Sequence, residues 1–251
     1  MENYKKNLEI LKKNHVYSEE MEHDACGVGL IASTEGKKSR KVVEYGIEAL
    51  KAVWHRGAVD ADGKTGDGAG IHVEIPKDFF IEKIEVTGHS YDNSEICVGM
   101  IFLPRNDYAA QESCKTIVES ELTKNDFSIY GWRQVPVNPK VLGEKAFQTM
   151  PEIIQVLFKS NNPELLNKDL ERKIYETRRI IENKAFQVSL NNFYICSLSS
   201  KSIIYKGMFL AEAISDFFLR FKGRKICLKI CNFSSKIFYQ YSTKLEFSST
   251  I

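Results

Sequence analysis

Cys26 is the residue of this chain whose surroundings most invite chemistry. It opens the apolar run Cys26-Gly-Val-Gly-Leu-Ile-Ala-Ser33, with small Ala25 before it and Gly27 and Gly29 behind it. Two readings stand side by side. In one, Cys26 is a buried strand cysteine that packs as a small hydrophobe. In the other it is an N-terminal nucleophile. Cleavage of the Ala25–Cys26 bond would free an α-amine, of ordinary pKa about 7.7–8.0, to act as base for the thiol of the same residue. The flanking glycines would then let a substrate approach the backbone closely.

The other chemical candidates are weaker. Residues 57–70 form a loop with five glycines and three aspartates, Asp60, Asp62 and Asp67. A phosphate loop needs four residues between its first glycine and Gly-Lys-Thr, whereas five lie between Gly57 and Gly63-Lys64-Thr65. An EF-hand starting at Asp60 would need glycine where Thr65 stands and glutamate where Ile71 stands. The loop therefore reads as a structural turn. Cys227 and Cys231 have no second Cys/His pair nearby, and the histidines at 15, 23, 55, 72 and 89 show no ligand spacing, so no metal site is expected. Cys97, Cys114 and Cys196 lie in or near apolar elements and read as core residues.

The elements that must position Cys26 follow from hydrophobic periodicity. Residues 1–25 read as a polar, helical leader and 26–33 as a buried strand. Lys41–Trp54, with Val43, Ile47, Leu50 and Trp54 at helical spacing, reads as an amphipathic helix. Strands are expected at Ile71–Ile75, Ile96–Leu103, Tyr130–Val137 and Glu152–Lys159, and helices at Asn106–Lys124 and Pro163–Asn183. Phe193–Ser197 and Ser202–Tyr205 suggest a hairpin, and Met208–Phe217 a last helix. Strands and helices are intermixed, which favours an α+β layered fold. The 251 residues are 43% hydrophobic, which excludes a disordered chain. No run reaches the roughly 18 apolar residues of a membrane span, and the charged leader is no secretory signal. Six cysteines are too sparse for a disulfide scaffold, so a reducing, cytoplasmic setting is expected.

Several motifs in order then resemble one family. Asp24-Ala-Cys-Gly-Val-Gly-Leu30, Trp54-His-Arg-Gly-Ala58, Thr65-Gly-Asp-Gly-Ala-Gly-Ile71, Phe193-Tyr-Ile-Cys-Ser-Leu-Ser-Ser200 and Tyr205-Lys-Gly-Met208 look like the glutamate synthase large subunit. They match its N-terminal class II glutamine amidotransferase domain, an N-terminal-nucleophile hydrolase with an αββα sandwich. The resemblance implies that residues 1–25 are a propeptide cleaved between Ala25 and Cys26, and that 26–219 are a partial amidotransferase domain. It implies that Cys26 attacks the side-chain amide of L-glutamine, releasing ammonia, and that Arg56 helps order the glutamine site. In the complete enzyme the ammonia aminates 2-oxoglutarate, with electrons from a partner subunit or ferredoxin. FMN and an iron–sulfur cluster belong to the family's remainder, and no cofactor is expected in this chain.

The resemblance stops at Leu219. Residues 220–251 carry seven Lys/Arg and one acid, Glu246, leaving 28 basic and 32 acidic residues before them. The tail is thus about +6 and the body about −4. A basic tail suggests nucleic acid or acidic membrane, but this one has no recognised binding fold and no clean amphipathic face, so neither partner is expected. The family's His-Gln-Arg and Asn-Gly-Glu segments, which bind the glutamine carboxylate and form the oxyanion hole, are absent. A one-base shift accounts for this. Codons for 220–226 exist that read Asp-Leu-Lys-Asp-Glu-Arg-Phe when one base is dropped, and Phe233–Glu246 can likewise encode Phe-His-Gln-Arg-Tyr-Ser-Thr-Asn. The expectation is a sandwich incomplete at its C-terminal side, with exposed sheet edges. A catalytically dead, truncated remnant is the alternative to a working glutaminase.

Overall fold

The computed structural model describes residues 2–14, 27–53, 58–223 and 227–235. Its strands form two four-stranded antiparallel sheets. The first contains β1 (Gly27–Ala32), β2 (Ala69–Glu74), β7 (Ser202–Gly207) and β8 (Ile230–Ser235), in the order β1-β8-β2-β7. The second contains β3 (Cys97–Leu103), β4 (Phe127–Gln134), β5 (Glu152–Ser160) and β6 (Tyr194–Ser199), in the order β4-β5-β3-β6. The helices are α1 (Glu2–Lys13), α2 (Arg40–Ala52), α3 (Lys77–Val86), α4 (Tyr108–Lys124), α5 (Glu144–Gln148), α6 (Asn167–Gln187) and α7 (Ile214–Phe217).

Every residue of β3 is buried, as a continuous apolar run at a sheet centre should be. One face of its sheet meets α4 and α6 through Ile101, Leu103, Val156, Phe158, Val118, Leu122, Ile174 and Ile181. The other core joins Val98, Met100, Phe102 and Leu157 to the first sheet and to α2 and α3. The mixed α+β architecture expected from the sequence is present. Helix starts follow local chemistry: Ser39 accepts from Lys41 N at the head of α2, and Asp107 from Ala110 N at the head of α4. Helix α6 begins later than its composition suggests, because the Asn162 side chain takes Glu164 N and holds a turn there.

Three expectations are corrected. Strands β6 and β7 are not a hairpin: β6 pairs with β3 and β7 with β2, in different sheets. The carboxylate of Glu171 accepts from Ser199 Oγ, Ser200 N and Ser200 Oγ at 2.6–2.9 Å, which pins the corner between the sheets. The last helix shrinks to a 3-10 turn at Ala211–Ala213 followed by the single turn of α7. The tail supplies β8, inserted between β1 and β2 rather than leaving their facing edges bare. Its alternation explains the fit, with Cys231 and Phe233 buried and Asn232 and Ser234 half-buried.

Candidate active site

Strand register brings four chain segments to one end of the first sheet. Gly27 of β1 pairs with Ser235, Ser235 with Ala69, and Ala69 with Gly207. The head of β1, where residue 26 attaches, therefore shares an edge with the head of β2 and the end of β7. The Gly/Asp-rich loop feeds β2 at this edge. Ala25, Cys26 and Arg56 themselves lie outside the described residues.

Carboxylates hold the loop. Asp67 Oδ2 accepts from Ala58 N at 3.0 Å, and Asp67 N donates to Ala58 O at 3.2 Å. This clamp fixes the chain two residues after Arg56. Asp62 accepts from Lys64 N, Thr65 N and Thr65 Oγ1 at 2.9, 2.7 and 2.6 Å. These bonds, the Thr65 hydroxyl foremost, bring its pKa down to about 2. Asp60 accepts from Lys145 Nζ at 3.0 Å and from Ala61 N at 2.7 Å, which also lowers its pKa. Gly143 lies so close that a Cβ there would meet Asp62 Oδ2 at 2.1 Å and Thr65 Oγ1 at 2.3 Å. The roles of Gly143 and Lys145 were not legible in the sequence, since each depends on a long-range contact. The Asp62-x-x-Thr65 spacing was a usable signal for the turn.

Just inside the edge row, a cavity of about 290 Å³ is lined by Val28, Gly70, His72, Lys206, Asn232 and Ser234. Lys206 Nζ donates to Tyr194 Oη at 2.7 Å and lies 4.4 Å from the Tyr194 ring centre. His72 Nδ1 is 3.3 Å from Asn232 Nδ2, and burial lowers the His72 pKa, so the imidazole stays neutral near pH 7. An ammonium, a neutral imidazole and an amide thus face one apolar-floored space. A second cavity, of about 270 Å³, lies between Ala58, Asp67 and Gly68 of the loop and Phe209–Glu212. Gly29 does not serve close approach of a substrate. The Phe233 ring occupies its place, 2.2 Å from where a Cβ would stand.

The described cysteines contrast with a nucleophile. Cys97, Cys114, Cys196 and Cys231 are buried, and Cys227 is half-buried. Burial raises the Cys97 thiol, pushes Cys114 up to about 11, and pushes Cys196 and Cys231 up to about 12. Cys231 packs against Gly46 of α2, apart from any pairing with Cys227. Among the described residues no helix is long and apolar enough to cross a membrane.

Residues 26–244 match the profile of the family described as glutamine amidotransferases class-II, and the chain belongs to that family. Within it, the chain is similar to the glutamate synthase [NADPH] large chain of Azospirillum brasilense, 53% identical over 215 residues, covering 86% of this chain and 14% of that protein. It is also similar to the ferredoxin-dependent glutamate synthase 1, chloroplastic/mitochondrial, of Arabidopsis thaliana, 40% identical over 200 residues, covering 79% of this chain and 12% of that protein. The chain thus spans a small part, 12–14%, of the length of these relatives.

Proposed function

We propose that this chain is the glutaminase part of a glutamate synthase, with Cys26 as its nucleophile. The observation that carries the reading is the shared sheet edge, where the strand head after Cys26 adjoins the loop clamped two residues after Arg56. In this reading residues 1–25 are removed and the new α-amine of Cys26 takes the thiol proton. The thiolate attacks the glutamine side-chain carbonyl, and the C–N bond breaks as ammonia leaves with that proton. Water then hydrolyses the glutamyl thioester, giving glutamate and restoring the thiol. These steps need no cofactor. Arg56 helps order the bound glutamine.

Transfer of the ammonia to 2-oxoglutarate belongs to the rest of the synthase, where FMN and the iron–sulfur cluster would sit. The names of these relatives point to NADPH or ferredoxin as the electron source. We further propose that residues 220–251 are out-of-frame translation of the codons that follow Leu219. Resequencing that stretch of DNA tests this, and a gene whose bases cannot encode the His-Gln-Arg segment in any frame refutes it.

The test of the glutaminase is release of glutamate from glutamine, with the N-terminus of the product read by mass spectrometry. Cys26→Ala should lower the rate by about 10⁴-fold or more and leave residues 1–25 attached. Unchanged turnover in that variant overturns the assignment. A wild-type chain that keeps residues 1–25 and releases no glutamate favours the inactive remnant instead.

A further inference from the structure

Arg105 is a half-buried guanidinium that meets no carboxylate among the described residues. Its side chain makes one hydrogen bond there, from Nη1 to Phe147 O at 3.3 Å, and its guanidinium carbon lies 4.7 Å from the Phe147 ring centre. A guanidinium carries five donors, so most of the hydrogen-bonding capacity of Arg105 is unspent within the fold. The acid nearest in sequence, Asp107, gives its carboxylate to Ala110 N as the cap of α4. The backbone beneath Arg105 is fixed, because buried Gln111 donates from Nε2 to Pro104 O at 2.7 Å and to Arg105 O at 3.2 Å. Arg105 lines a cavity of about 680 Å³ at the end of β3, within the size range of small-molecule sites. Leu103, Met150 and Met208 supply apolar lining, and Lys145 supplies a second cation. Lys145 Nζ pairs with Asp60 at 3.0 Å, but the two side chains are 67% and 37% exposed. So exposed a pair is worth little, and Lys145 can turn to another anion at small cost.

We propose that this cavity binds a small organic carboxylate, with Arg105 as its anchor. The carboxylate meets the planar fork of Arg105 in two parallel N–H···O bonds. The hydrocarbon body of the ligand lies on Leu103, Met150 and Met208, and Lys145 adds its charge when it turns from Asp60. An inorganic anion would leave the apolar lining unused, and a neutral molecule would leave the guanidinium without a counter-charge. Asp60 and the ligand compete for Lys145, so occupancy of the cavity is coupled to the Gly/Asp-rich loop, and that coupling is reciprocal. The cavity shares no lining residue with the two cavities at the loop and the sheet face. The inference stands apart from the glutaminase reading, because its test measures binding and not turnover.

The experiment titrates the full chain with pentanoate at constant ionic strength, following the ligand by NMR. The unaltered chain should bind it saturably, and the neutral isostere pentanamide should not bind. Arg105→Met should weaken binding by about tenfold or more. Arg105→Lys, which keeps the charge but not the fork, should fail to restore it. Lys145→Met should weaken binding less than Arg105→Met. Asp60→Asn should tighten it, because Lys145 is then released to the cavity; a role for these residues in folding alone predicts no such gain. Arg172→Met, whose arginine pairs with Glu176 on α6 away from the cavity, should leave binding unchanged. Unsaturable binding, equal binding of pentanamide, or an Arg105→Met chain that binds like the unaltered one overturns the proposal. So does inorganic phosphate binding as tightly as pentanoate, or an Asp60→Asn chain that gains nothing.

Discussion

Replacing Gly46 by alanine tests whether the tail strand packs where the fold places it. Gly46 lies within α2, and a Cβ there would stand 2.5 Å from Cys231 Sγ and 3.3 Å from Cys231 Cβ, both on β8. Two effects of opposite sign compete. Alanine in a helix interior is favoured over glycine by about 0.5–1 kcal/mol. Forcing a methyl into a filled core costs about 1–3 kcal/mol. Because the sulfur is buried and backed by the sheet, the second effect wins, for a net loss of about 0.5–2 kcal/mol. That corresponds to a midpoint lower by about 1–8 °C for a chain of this size. Removing the sulfur reverses the sign. In a Cys231→Ala background, Gly46→Ala should be neutral or raise the midpoint, because only the Cβ contact at 3.3 Å and an ordinary van der Waals contact with Ile71 Cδ1 at 3.8 Å remain. The assay is urea or thermal unfolding of the four members of the cycle. If Gly46→Ala stabilises the chain that still carries Cys231, β8 is not seated against α2, and the reasoning from the sheet order fails.

Other outcomes follow from the same contacts. Glu171→Ala should lower stability by about 1.5–3 kcal/mol, because three donors at the corner between β6 and β7 lose their acceptor; calorimetry checks this. Asp62 has a folded pKa lowered to about 2. Its stabilisation is present above the ordinary carboxylate range and lost as pH falls toward 2. Asp62→Asn should therefore flatten the acid limb of the melting curve, and an unchanged limb would contradict the loop geometry. Gly143→Val should loosen the loop and raise the KM for glutamine more than it lowers kcat, provided turnover is measurable. Brief alkylation of the folded chain near pH 8, mapped by peptide mass, should spare Cys97, Cys114, Cys196 and Cys231 until denaturant is added.

Much of this protein is legible in its sequence where short-range chemistry decides. Apolar runs such as Ile96–Leu103 and the helical spacing of Val43, Ile47 and Leu50 announce β3 and α2, because burial of one face or of a whole strand is a local pattern. Cys26 and its glycines, with the ordered motifs from Asp24 to Met208, carried the family. The tertiary structure decided what depends on partners far along the chain. Ser199 and Ser200 read as a hairpin turn, but Glu171 makes them a corner between two sheets. The tail read as unplaced basic sequence, yet Cys231 and Phe233 alternate well enough to fill the slot between β1 and β2. Asp60 carries no sign that it meets Lys145, nor Asp62 that it abuts Gly143. Nor could sequence show two arginines 87 positions apart on one phenylalanine ring. Charge is a property of each residue, but whether a charge is paired is settled only when the layers close and water leaves.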